Sequence, residues 1–184
     1  MRTLVREDIL ARLQAAPPLV EGMRVVETQV QPHGVDLTVA QVFAFRGQGI
    51  VGFASDVTQL PPVTPVPLDD NGWWTLPQGA YRVRLAETVH LPLNVYAIAR
   101  PRSSLLRMGV QVGTALWDAG YSGQGEALLV VQNPYGIRLQ ARARILQLVF
   151  FQLDTPPRQG YSGRYQGNRL PHPMHVEDRW HHAK

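Results

Sequence analysis

Val5, Ile9 and Leu13 recur at every fourth position with Leu10 beside them, while Arg6, Asp8 and Arg12 take the other faces. That period predicts one short amphipathic helix, stopped at Pro17-Pro18, whose rings cannot continue it. No other segment carries a helical period, so the remainder is expected to be β. Residues 35–45 (VDLTVAQVFAF) are rich in β-branched and aromatic side chains. Tyr81, Val83 and Leu85 alternate with Arg82 and Arg84, the pattern of a half-exposed strand. Residues 126–132 (EALLVVQ) and 145–151 (ILQLVFF) are nearly continuous apolar runs and read as buried strands. Asn133-Pro134-Tyr135-Gly136 supplies turn chemistry between them. Proline-rich 55–72, ending in Asp69-Asp70-Asn71-Gly72, reads as a loop closing in a turn.

The predicted architecture is mainly β: a barrel or sandwich of antiparallel strands with a short N-terminal helix. After Pro156-Pro157 the aliphatic residues thin out. Residues 1–157 therefore read as one β domain, and 158–184 as a flexible arm with no core of its own. A content of 16 Gly and 15 Pro suits many short strands joined by turns. No internal repeat, heptad or low-complexity tract is visible.

The net charge of +4 suits an anionic ligand but forms no basic run of the kind that binds a nucleic-acid polymer. Cysteine is absent, which removes disulfides, thiolate nucleophiles and Cys-containing zinc sites, the zinc nucleobase deaminases among them. No signal-type segment and no run of roughly 20 apolar residues occurs, so the expectation is a cytoplasmic protein without a membrane span. P-loop, strand-linked GxGxxG and GxSxG patterns are missing. His172, His175, His181 and His182 match no zinc spacing and are read as tail residues.

Four polar clusters stand out. Arg102, Ser103 and Ser104 with Arg107 combine guanidinium charge and short hydroxyl donors, which suits phosphate oxygens; a solvated loop is the plainer reading. Asp118, near Tyr121 and Gly123, stands at the mouth of a glycine-bearing turn, where it is either a base toward water or an ordinary turn residue. Gln147, inside ILQLVFF, is expected to be a buried amide, bonded to backbone or orienting a water. In the tail, Tyr161 and Tyr165 alternate with Arg164 and Arg169, which suits either a disordered basic tail or a segment closing over a nucleotide.

Taken in order, these clusters resemble the motifs of the dUTPase and dCTP deaminase superfamily. Val30-Gln31-Pro32 with Val35-Asp36-Leu37 is similar to its first motif. Pro101 to Leu105 with Arg107 is similar to its second, Asp118 to Gly123 to its third, and Arg144 to Leu148 to its fourth. Arg164-Tyr165-Gln166-Gly167-Asn168 resembles the arm of the deaminase branch rather than the Phe- and Ser-Thr-bearing arm of dUTPases. The resemblance implies a distorted jelly-roll, a homotrimer with sites between subunits, and Mg2+ on the substrate triphosphate. It also implies roles. Arg102, Ser103, Ser104 and Arg107 hold phosphates. Asp118 acts on the attacking water, Gln147 positions a water or phosphate oxygen, and Tyr121 packs on the deoxyribose. The arm, with Arg158, Tyr161, Arg164, Tyr165 and Asn168, closes the site. Asp36 supports the metal-water shell, and backbone around 113–121 reads the base.

Position 130 separates two chemistries. Deamination in the superfamily uses a Glu three residues before the Asn that ends the third-motif strand. That Asn is Asn133 here and position 130 is Val, which shuttles no proton. Glu126 lies on the same strand face but about 13 Å away at roughly 3.3 Å per residue. The expected activity is hydrolysis of dUTP to dUMP and pyrophosphate. The alternatives are a metal-independent dCTP deaminase, with or without dUTP hydrolysis, and a trimeric nucleotide-binding protein without catalysis.

Overall fold

A computed structural model describes residues 1–54 and 56–168. Among them, β1 (Arg2–Thr3), α1 (Arg6–Arg12), β2 (Val20–Glu21), α2 (Val26–Gln29), β3 (Val30–Gln31) and β4 (Gly34–Phe45) come first. β5 (Val63–Pro65), β6 (Trp73–Leu76), β7 (Gly79–His90), β8 (Val95–Pro101) and α3 (Ser103–Arg107) follow. β9 (Val110–Gly113), β10 (Ser122–Val131), β11 (Ile137–Gln140) and β12 (Arg144–Gln152) complete the order. No helix among the described residues is long and apolar enough to cross a membrane.

The predicted first helix is α1. Its Ile9 is fully buried, and Asp8 in the first turn accepts the Val5 N–H at 3.1 Å, satisfying an amide the helix leaves open. α2 and α3, four and five residues long, went unread because neither completes enough turns to establish a period. The predicted 55–72 loop also contains the short strand β5.

β4 organises the domain because it belongs to two sheets. Val35 to Thr38 pair with β12, and Val39 to Ala44 pair with β7. Both ladders are irregular at this corner, between Arg144 and Leu146 on one side and between Val39 and Gln41 on the other. Such irregularities let one strand bend from sheet to sheet. β12 carries β8 and β1 on the first sheet, and β7 carries β10, then β9, on the second, all antiparallel. The curled sheets enclose Leu37, Val39, Val83, Leu85, Leu129, Leu146, Leu148 and Phe150, each completely buried.

One expectation about the strands is corrected. The apolar run of β10 is not buried on both faces: Ala127, Leu129 and Val131 point inward, but Leu128 is 42% exposed. Period-two alternation outweighs composition here, because β10 has a core on one side only.

Candidate functional site

β8 ends at Pro101, and the chain then turns directly into α3. Arg102 is the residue before the helix, its N–H bonded to Ile145 O of β12 at 3.1 Å. This anchor places its guanidinium over β4, where Nε meets Asp36 Oδ2 at 3.2 Å. Arg144 of β12 reaches the same oxygen at 3.1 Å and donates to Thr28 O at 2.8 Å. Asp36 is almost fully buried, and burial pushes its carboxyl above the ordinary value while Arg102 and Arg144 pull against that rise. Ser103, Ser104 and Arg107 are exposed on α3, and Arg107 donates to Ser103 O at 3.3 Å.

Gln147 pairs across the sheet with Asp36 on one side and Arg100 on the other, so all three share one face. The expectation of a buried amide is corrected: Gln147 is half-buried, and its amide makes no hydrogen bond among the described residues. Its stem instead packs over Gly34, where any Cβ would stand 3.1 Å from Gln147 Cγ and 2.4 Å from Leu148 O. Gly34 is therefore required for β4 and β12 to approach, and the Gln147 amide remains free to take a ligand.

The second group of residues lies on the turn before β10. Trp117 bridges to Ala97 of β8 and is buried. Its ring covers Gly125 so closely that a Cβ there would lie 2.0 Å from Trp117 Cη2. Asp118 follows it, exposed, at a cleft of about 590 Å3 shared with Tyr96, Leu116, Gly160 and Tyr161. Tyr121 is buried edge-on between Trp117 and Tyr161, at 5.5 and 5.6 Å between ring centres. Its hydroxyl donates to Gln124 O at 3.1 Å, and burial pushes its pKa up to about 12.

The described part of the arm lies along this same turn. Tyr161 N–H donates to Ala119 O at 2.8 Å, Gly167 N–H to Ser122 O at 2.8 Å, and Gln124 N–H to Asn168 O at 2.7 Å. The Gln166 amide makes two further bonds: Oε1 accepts the Ser122 N–H at 3.0 Å and Nε2 donates to Gly120 O at 2.9 Å. Arg164 reaches Thr58 O at 3.2 Å, and Tyr165 donates its N–H to the Tyr161 hydroxyl. Arg158 is exposed. Arg169 and the four tail histidines lie outside the described residues.

The candidate residues thus form two groups. Asp36, Arg102, Arg144 and Gln147 meet at the β4–β12–β8 end, whereas Asp118 and Tyr121 lie with the arm. Trp117 pairs with Ala97, five residues before Arg102 along β8, roughly 16 Å at ~3.3 Å per residue. Val130 pairs with Gln111 and Ala80, and Glu126 is held by Arg84 at 2.8 Å and Arg82 at 3.6 Å. Both Glu126 oxygens are thus already engaged by guanidiniums.

Glu87, Gln29 and Arg100 were missed in the sequence. Glu87 carried a signal, because it occupies an inward place in the alternation Tyr81, Val83, Leu85, Val89. Gln29 carried none. Among the described residues no three His, Asp or Glu side chains form a metal cage. Asp36 is the single carboxylate beside Arg102 and Arg144, and so few protein donors would be compatible with an ion that keeps its waters, such as Mg2+.

A family model described as dCTP deaminase-like matches residues 3–153. A protein of Methanosarcina mazei named probable deoxyuridine 5'-triphosphate nucleotidohydrolase is 43% identical over 90% of this chain and 97% of its own. One of the same name from Archaeoglobus fulgidus is 44% identical over 89% and 95%. The crystal structure of 2'-deoxycytidine 5'-triphosphate deaminase from Agrobacterium tumefaciens superposes with a TM-score of 0.62 at 22% identity. It covers 80% of this chain, which spans about half (48%) of that protein, so the likeness is one of fold. With its two-sheet β domain, the motifs seated on it and a match along most of its length, the chain belongs to the dCTP deaminase-like family.

Proposed function

We propose that this protein is a dUTP diphosphatase that hydrolyses dUTP to dUMP and pyrophosphate. The observation that carries the reading is the similarity, at 43 and 44% identity across about 90% of this chain and 95–97% of theirs, to archaeal relatives named for that activity. The environment of Glu126 and Val130 supports it against deamination, since neither offers a free acid where that reaction needs one.

In this mechanism Asp118 takes a proton from water as the water oxygen bonds to the α-phosphorus. The bond from that phosphorus to the bridging oxygen breaks, and pyrophosphate leaves. Arg102, Ser103, Ser104 and Arg107 hold phosphate oxygens and stabilise the charge that builds on them. Gln147 orients a water or phosphate oxygen from the free side of β12. Tyr121 limits space at the sugar, and the arm from Arg158 through Tyr161, Arg164, Tyr165 and Asn168 covers the nucleotide. Asp36 is the carboxylate that would support a hydrated Mg2+ on the triphosphate, an ion that would supply charge neutralisation.

The separation of Asp118 from Arg102 supports a site assembled from more than one subunit, a homotrimer in this reading. Product analysis with Mg2+ and, separately, dUTP and dCTP tests the proposal. dUMP and pyrophosphate from dUTP, with dCTP unchanged, are expected; ammonia from dCTP overturns the assignment. Asp118→Asn should abolish turnover, a loss of at least 10^2, while a non-hydrolysable dUTP analogue still binds. Wild-type turnover in that variant removes Asp118 from the mechanism.

A further inference from the structure

Glu87 is completely buried in β7, at the corner where β4 leaves one sheet for the other. Its surroundings are all donors. Oε2 accepts the Thr38 N–H at 2.8 Å, and Oε1 accepts the Thr38 hydroxyl at 2.7 Å and Gln29 Nε2 at 2.8 Å. Gln29 is itself pinned, its Oε1 accepting the Arg24 and Val25 N–H groups at 2.8 and 3.2 Å. The same Gln29 Nε2 also donates to Asp36 O at 3.0 Å. One carboxylate therefore holds β4 on both sides of Leu37: directly at Thr38, and through Gln29 at the Asp36 carbonyl.

The need for such a clamp follows from the fold. At a corner where both ladders break register, the Thr38 amide loses a regular strand partner, and a buried amide without one is costly. A hydrophobic residue at position 87 would fill the volume but leave the Thr38 N–H unbonded and Gln29 Nε2 with one of its two hydrogens unpaired. Two residues from Thr38 stands Asp36, whose Oδ2 orients both Arg102 and Arg144. Any drift of the β4 backbone there redirects that oxygen and both guanidiniums with it.

We propose that Glu87 is a positioning residue: through Thr38 and Gln29 it fixes the backbone that aims Asp36, and so holds Arg102 ready for the substrate phosphates. The role rests on the phosphate-binding assignment of Arg102 made above.

The test is Glu87→Gln, which keeps shape but sets an amide NH2 where an acceptor is needed. Its fold is checked by circular dichroism and its assembly by sedimentation. KM and kcat for dUTP, the Kd of a non-hydrolysable dUTP analogue and inhibition by deoxyuridine are then compared with wild type. The folded variant is expected to raise KM and the analogue Kd roughly tenfold, about the net worth of one hydrogen bond or a little more. The deoxyuridine constant should stay unchanged, because that ligand carries no phosphate. Asp36→Asn should give the same split, and the double variant should be no worse than the poorer single one, as expected for two residues acting in one chain of contacts.

A merely structural Glu87 predicts instead a lower yield of active enzyme with KM unaltered. That result, or multiplicative losses in the double variant, overturns the proposal. Should Glu87→Gln not fold, Gln29→Met is judged by the same criteria. A wild-type protein that leaves dUTP untouched sinks the functional reading instead, and the coupling of Glu87 to Asp36 is then measured by pyrophosphate binding, where its absence refutes the positioning role.

Discussion

Asp36 and Asp8 are both acids held by arginine, yet their surroundings drive them in opposite directions. Burial raises Asp36 against the pull of Arg102 and Arg144. Asp8 is half-buried and is lowered to about 2, chiefly by its hydrogen bond from Arg2 and then by the Val5 N–H. A carboxyl depressed in the folded state stabilises above its unfolded pKa, and the contribution fades as pH falls toward the folded one. The stability difference between wild type and Asp8→Asn in urea should therefore be largest near pH 5–7 and shrink by pH 2.5; a constant difference refutes the cap. Arg102, Asp118 and Gln147 were legible as candidates because their residue types carry chemistry at motif spacing. What each touches was not: Gln147 sits in an apolar run, and only the pairing of β12 with β4 and β8 sets it on one face with Asp36 and Arg100.

Strands and turns here depend on close approaches that spacing alone does not reveal. The turn bearing Asp118 is secured by Trp117, whose ring needs the bare backbone of Gly125. Gly125→Ala should push that ring away and cost about 1–3 kcal/mol, the range for forced overpacking. Chemical denaturation would measure the loss, and dUTP turnover should fall as Asp118 shifts. Unchanged stability and activity would mean that Trp117 does not anchor the turn. α1 was readable from its helical period, β7 from the alternation of Tyr81 to Leu85, and β4, β10 and β12 from β-branched or apolar runs. α2 and α3 were not, since four or five residues form too little helix to show one; α3 exists because β8, anchored on β12, delivers Arg102 at its start.

For the molecule as a whole, the informative result is a separation. Arg102 follows the end of β8 while Asp118 follows the Trp117 bridge to Ala97 within that strand, and the outer face of β10 leaves Leu128 uncovered. If neighbouring subunits complete each site, mixing Arg102→Ala with Asp118→Asn should restore part of the dUTPase activity that each lacks alone. No recovery after subunit exchange would place both residues in one chain's site. A mainly β domain, its first helix and the ordered set of polar motifs were readable in the chain because they are local: hydrophobic period, turn chemistry and short spacings all act within a dozen residues. The grouping of Asp36 with Arg102 and Arg144, the clamp of Glu87 on Thr38, the seat of Gln166 on the Asp118 turn and the distance from Arg102 to Asp118 emerged only from the fold. All but the last join residues between 46 and 108 positions apart, and the last depends on where Trp117 meets β8. Such contacts are chosen by register and by the position of a strand corner, which no local pattern encodes.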